Sequence, residues 1–272
     1  MATNPLLQAS QLKYYEVELP SRGFPYILNG TLNEIFEEGS FIDGKIKIKE
    51  LTTKEELIWT DKELVETLKA PVIIAESIVK GLKNGELLAQ SDLEYILLES
   101  RKISYGDYVE INWVCDKCGT HNFEYVKFDN IPIKKLNDIK DLELVLDNYK
   151  ITMIPLITKE SIEILQANEE VNDDIEEQLD RIISCIMEVE VKINDEIIPV
   201  RDKAMIAEWI ENLNPKFFQK IMEHFTKINE IGKPDSMNVK CKECGHKTKS
   251  SIIVDVTSFL SKEELAQRKK KS

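Results

Sequence analysis

A Cys-x-x-Cys-Gly turn occurs twice in this chain, as Cys115-Asp-Lys-Cys118-Gly119 and as Cys241-Lys-Glu-Cys244-Gly245. Each copy sits between stretches of alternating, strand-like sequence. A Cys-x-x-Cys turn points both sulfurs to one side, and the glycine after it lets the backbone double back with its amides free to donate to sulfur. Four thiolates in two such turns are what a tetrahedral zinc ion requires. Because residues 119 to 240 lie between the turns, one ion would tie together parts of the chain that are far apart in sequence. The spacing therefore predicts a Zn2+ site with Cys115, Cys118, Cys241 and Cys244 as ligands. Four protein ligands close the coordination shell and leave no position for a catalytic water, so the predicted site is structural, closing a very long loop. The competing readings are knuckles that hold no metal, or redox disulfides. A thioredoxin-like dithiol calls for one Cys-x-x-Cys beside a βαβ unit, whereas both turns here lie in hairpins. His121 and His246 follow the knuckles closely, and with four cysteines already present they are expected at the surface or behind the ligands.

The cysteine count supports a reducing environment. Of five cysteines, four fall in the two identical spacings, whereas a disulfide framework usually has an even count in a shorter chain. The fifth, Cys185, lies in an apolar helical pattern and is expected to be buried as a small hydrophobe. The 272 residues are 42% hydrophobic, enough for one large domain or two smaller ones. A net charge of −13 favours protein partners and opposes general binding to nucleic acid or membrane surfaces. No stretch approaches the roughly 20 apolar residues of a membrane span, and the N-terminus lacks a basic region followed by an apolar run. The expected setting is a cytoplasm, or a particle assembled there.

Pattern and punctuation divide the chain into an α+β arrangement. Residues 1–45, with two prolines and a glycine in Leu19-Pro-Ser-Arg-Gly-Phe-Pro-Tyr26, read as an extended, non-helical arm that docks on a partner and is dispensable for folding. A short strand, Lys45 to Lys49, opens a mainly helical segment, 46–107. In it Thr52 and Glu55 form a capping box ahead of a helix from about 54 to 69. Further helices are expected from about Pro71 to Leu82 and from Ser91 to Arg101. Residues 108–136 together with 236–260 form a discontinuous zinc ribbon of two knuckle hairpins. Residues 137–235 form an inserted α/β subdomain, with hairpins turning near Asp147-Asn148 and Asn194-Asp195. This insert also holds a long helix from Lys159 to about Met187, interrupted around 168–172, and helices starting at Asp202 and Pro215. Residues 261–272 are a basic tail.

Nothing else in the chain suggests catalysis. The three histidines form no HExxH arrangement, and no Gly-x-Gly-x-x-Gly or Walker-type loop occurs. No catalytic residue, small-molecule substrate or further cofactor is assigned. Trp59, Trp113 and Trp209 sit in apolar patterns and read as core or interface anchors, and Phe217-Phe218 as helix packing. The acidic runs Glu169-Glu170 and Asp173-Asp174 read as a solvent-facing surface. Lys117, Lys240, Lys242, Lys247 and Lys249 surround the knuckles and would offset the charge of a four-thiolate zinc centre. Without interleaved aromatics they make a poor base-stacking surface.

Several stretches carry a resemblance. Leu19-Pro-Ser-Arg-Gly, Ile48-Lys-Glu-Leu-Thr-Thr-Lys-Glu-Glu-Leu57, Asp92-Leu-Glu-Tyr-Ile-Leu-Leu, Arg101-Lys-Ile-Ser-Tyr-Gly-Asp107 and the first knuckle occur in an order that resembles the baseplate hub subunits and hub assembly proteins of T-even-type contractile-tailed phages. The similarity covers roughly residues 15 to 130 and resumes from about 205, while about 137 to 200 carries none. Where homologues often show an aromatic pair, this chain has Ser258-Phe259-Leu260. The resemblance implies a non-catalytic structural or assembly protein of the tail baseplate hub. It would bind other hub, spike and tube-initiating proteins in the virion tail baseplate, after assembly in the host cytoplasm. The alternative is a zinc-ribbon nucleic-acid-binding or transcription accessory protein.

Overall fold

A computed structural model describes residues 13–67, 69–168, 174–233 and 237–250. The predicted basic tail, the apolar stretch after residue 250, and the acidic residues 169–173 lie outside the described residues. The chain is α+β, with two buried clusters of apolar side chains.

The first cluster begins with β1 (Tyr14–Glu18), which pairs antiparallel with β2 (Lys45–Lys49), Tyr14 opposite Lys49 and Glu18 opposite Lys45. The Lys-Ile-Lys-Ile-Lys alternation of β2 buries Ile46 and Ile48 and leaves Lys45 and Lys47 exposed. Against this ribbon pack α5 (Lys69–Ile78), through Val72, Ile74, Ala75 and Ile78, and α6 (Gln90–Tyr105), through Leu93, Ile96 and Leu97.

The described part of residues 1–45 is not an extended arm. Besides β1 it holds two short helices, α1 (Phe24–Leu28) and α2 (Leu32–Ile35), and Leu19, Tyr26, Ile35 and Phe36 are all buried in the first core. Position decides what a proline does: Pro25 lies in the first turn of α1, where a missing N–H costs nothing and a fixed φ favours helix. A buried polar cluster locks the segment down. Asp92 of α6 accepts from the Ser21 hydroxyl at 2.5 Å and the Tyr26 hydroxyl at 2.6 Å, while Tyr26 accepts from the Ala89 amide at 3.1 Å.

The helix expected over 54–69 is broken. The capping box at Thr52 and Glu55 forms, but the helix it opens, α3 (Thr53–Ile58), is short. Asp61 then caps a separate α4 (Lys62–Glu66) by accepting from the Leu64 amide. A carboxylate that can bond the backbone three residues on competes with continued helix.

The second cluster lies under a four-stranded antiparallel sheet in the order β5 (Glu143–Leu146), β6 (Tyr149–Met153), β7 (Ile186–Ile193), β8 (Glu196–Val200). Its tight turns are the ones read from sequence. Asp147, Asn194 and Asp195 all take positive φ, the left-handed geometry these residues tolerate. Helices α7 (Thr158–Asn168), α8 (Asp174–Cys185), α9 (Lys203–Glu211) and α10 (Pro215–Asn229) complete this layer. The strand β7 follows α8 without a loop, so the helix stops at Cys185 and not at Met187. Phe24 and Leu28 of α1 pack against this second cluster, and Leu136 donates its amide to the Pro20 carbonyl at 2.9 Å. The N-terminal segment thus touches both cores.

Candidate metal centre

The sulfurs come together through two hairpins. Strands β3 (Tyr108–Val114) and β4 (His121–Lys127) form one, β9 (Met237–Lys240) and β10 (Lys247–Ser250) the other. Each is anchored by its apolar face: Ile111 and Trp113 of the first, and Val239 of the second, are buried in the first core. At the tips the two turns are built alike. In one, the Cys115 amide donates to the Thr120 carbonyl and the Gly119 amide to the Cys115 carbonyl, both at 2.9 Å. In the other, Cys241 donates to His246 at 2.8 Å and Gly245 to Cys241 at 3.0 Å. Gly119 and Gly245 take φ of 71° and 68°, so each turn closes through a conformation that side chains disfavour.

All four sulfurs lie within 4.8 Å of one another, and among the described residues this is the one cluster of three or more His, Cys, Asp or Glu close enough to share an ion. Cys115 Sγ is 3.7 Å from Cys244 Sγ, and Cys118 Sγ is 3.6 Å from Cys241 Sγ. A tetrahedron with Zn–S near 2.3 Å has sulfurs about 3.8 Å apart. The cysteines are free thiols at a separation that suits a shared ion and is far too long for a disulfide, whose S–S bond is about 2 Å. Cys115 and Cys241 are buried; Cys118 and Cys244 are at the surface.

The surroundings favour thiolate unevenly. The amide of Cys244 leads the donors that hold Cys241 down to about 6. The Thr120 hydroxyl, 3.2 Å away, is the main influence lowering Cys118. At Cys244 the His246 amide favours the anion, but desolvation and the three neighbouring sulfurs outweigh it and push the thiol up to about 12. Four thiolates cannot crowd together unaided, and a dication in their midst removes that penalty.

One ordering residue was not foreseen from the sequence. Asn122, on β4, is buried and spans both hairpins. Its amide nitrogen donates to the Thr120 carbonyl at 2.9 Å and approaches Cys241 Sγ at 3.6 Å, and its carbonyl accepts from the Lys242 amide at 2.9 Å. Asp116 answers from the first knuckle, lying 3.2 Å from His246 Nε2 and accepting from the Thr248 hydroxyl at 3.2 Å. His121 is exposed, and neither histidine belongs to the sulfur cluster. Cys185 is buried in the second core, where burial pushes its thiol up to about 12. Trp113 is a core residue, and Trp59, Trp209 and Phe218 pack partly buried against the two clusters.

A family model described as "T4 bacteriophage base plate protein" matches residues 16–261. The chain belongs to this family. Among curated proteins and among solved structures, none matches it. The base plate match runs through residues 137–200, a stretch whose own motifs carry no resemblance. It also takes in both knuckles and residues 16–45, most of the N-terminal segment. As a base plate protein of this family the chain has a structural role in the phage tail.

Proposed function

We propose that this base plate protein is a component or assembly factor of the baseplate hub, and that it acts by binding other tail proteins through a body made rigid by a structural Zn2+. The family match across residues 16–261 supports the base plate role, and the order of Leu19-Pro-Ser-Arg-Gly, Arg101-Lys-Ile-Ser-Tyr-Gly-Asp107 and the first knuckle supports the hub. The ion is held by Cys115, Cys118, Cys241 and Cys244, whose sulfur separations suit it. A closed four-sulfur shell gives the metal an architectural part: it fixes the two hairpins to each other, and through Trp113 and Val239 to the first core. The partners are hub, spike and tube-initiating proteins. The site of action is the virion tail baseplate, after assembly in the host cytoplasm. No helix among the described residues is long and apolar enough to cross a membrane, and the reading requires none.

The test is co-expression of the tagged chain with the hub, spike and tube-initiating proteins of the same phage. A stoichiometric complex with one of them is expected, weakened when the four cysteines are changed to serine. Failure to associate with any of the three would overturn the hub assignment. Mass spectrometry of purified virions then separates a resident subunit from a factor that leaves.

A further inference from the structure

The helical layer does not cover the whole of the four-stranded sheet. Val189 of β7 is buried in the second core, so by alternation Val191 and Ile193 share its face, and so do their partners on β8, Ile198 and Glu196. This face is closed at Val189 and open towards the turn at Asn194-Asp195, where Ile193 is 49% exposed and Ile198 43%. The row that crosses the sheet there is Tyr149, Val191 and Ile198. Trp209 of α9 rests on Tyr149, with ring centroids 5.2 Å apart. Met205, one turn before Trp209 on the same flank of α9, is 58% exposed. The opposite flank is fixed by Lys203, which donates to the carbonyls of Ile183, Ser184 and Ile186 at the end of α8. An apolar step thus runs from Met205 and Trp209 down to Ile198 and Ile193.

Its rim is acidic. The one cation at this end, Lys192, is paired with Asp195 at 2.8 Å, and its amide donates to Asn148 in the neighbouring turn. Asp147 in that turn, Glu196 opposite Ile193, and Glu208 beside Trp209 are exposed and in no ion pair within 4 Å among the described residues.

The chemistry separates the conceivable occupants. The two-residue turn closes on Ile193 and Glu196, so hydrogen bonds are exchanged by Ile193 with Glu196, Val191 with Ile198, and Val189 with Val200. The backbone of Ile197 and Pro199 therefore faces the free edge of β8, and Pro199 brings no N–H, which suits that edge poorly to an added strand. A second copy would set the same carboxylates against each other, on chains that each carry −13. The end of the chain has the complementary character. Phe259, Leu260 and Leu265 are apolar, and Arg268-Lys-Lys-Lys271 sets four positive charges in a row. Leu265 stands fifteen residues past Ser250, the end of β10. An extended chain of that length spans about 50 Å, close to the width of a folded body of this size.

We propose that the chain's own C-terminal segment, residues 259–271, seats on this face. Its apolar side chains cover Ile193, Ile198 and Met205, and Arg268 to Lys271 meet Asp147, Glu196 and Glu208. The contact is intramolecular, so a high effective concentration lets modest contacts suffice. It covers a face that would otherwise invite non-specific association. The proposal is independent of the metal and of the hub assignment.

The test uses the full chain with the photocrosslinker p-benzoylphenylalanine in place of Ala266. Illumination should join the segment to Ile198, Met205 or their immediate neighbours within one chain, as mapped by mass spectrometry. Reversing the rim charges with Glu196→Lys and Glu208→Lys together should cut the yield about fivefold or more. In a second measurement, methyl-13C methionine NMR follows Met205, with Met153 in the second core reporting an intact fold. Changing Arg268, Lys269, Lys270 and Lys271 to serine should move the Met205 signal and leave Met153 in place. Crosslinks that form only between chains would make the occupant a second copy's segment and overturn the intramolecular seat. Crosslinks elsewhere on the surface or none, a yield indifferent to the rim charges, or a Met205 signal unchanged by the four serines would overturn the site itself.

Discussion

The side-chain carbonyl of Asn122 accepts a hydrogen bond from the backbone amide of Lys242 at 2.9 Å, across 120 positions of sequence. With its amide nitrogen turned to Thr120 and Cys241, this one side chain sets the second knuckle against the first. The sulfur cluster therefore depends on a residue that is not a ligand.

Replacing Asn122 by alanine should leave the four sulfurs in place but loosen their mutual position. Loss of such an outer partner commonly costs 10- to 100-fold in metal affinity. Competition with a chromophoric chelator should report a loss in that range, and the cobalt-substituted protein should show altered charge-transfer bands. Unchanged affinity would mean that the cysteine turns position themselves.

The segment over 13–45 should prove essential for folding. Tyr26→Phe strips the Ala89 amide of its acceptor and Asp92 of one donor, in a fully buried setting. Such losses cost about 1–3 kcal/mol, readable as a lower urea midpoint with unchanged slope. Deleting residues 13–45 removes Leu19, Tyr26, Ile35 and Phe36 from the core and should leave no cooperative transition.

Glu55 should confer acid sensitivity. Burial opposes its charge, but the Ser77 hydroxyl, the Thr52 hydroxyl and amide, and Lys49 outweigh it and hold the carboxyl down to about 2. A carboxyl lowered on folding stabilises fully above its unfolded value, near 4.5, and loses that contribution as pH falls from there towards 2. The contribution, discounted for solvent screening, is about 2–3 kcal/mol. Glu55→Gln should lower stability at neutral pH and flatten the loss below pH 4.5, measured by chemical denaturation across pH.

Gly232 should resist substitution. A Cβ there would lie 2.8 Å from the Ser91 carbonyl, with φ at 83°. The Gly232→Ala protein should lose more than about 1 kcal/mol, whereas Gly39→Ala, at φ of 74° with open space around it, should lose only the backbone strain. Equal melting temperatures for the two variants would contradict the close approach of the Gly232 turn to α6.

Local signals made much of this protein legible in its sequence. The knuckles announce themselves by residue type and spacing. The hairpins of the four-stranded sheet follow from Asp147, Asn194 and Asp195, residues that accept positive φ. What stayed hidden depends on partners distant in sequence. Prolines and a glycine made residues 19–26 look detached, because nothing local says that Ser21 and Tyr26 meet Asp92 some 70 positions later. Asn122 looks like any polar strand residue until the second knuckle supplies its partner at Lys242. Asp61 could be read as helix surface as easily as a cap, and the structure makes it a cap.

Elemental analysis of protein purified without chelators or an affinity metal bears on the whole account. One zinc per chain is expected, lost together with a large part of the melting temperature when Cys115, Cys118, Cys241 and Cys244 are all changed to serine. A metal-free chain whose four-serine variant melts where the wild type does would contradict it.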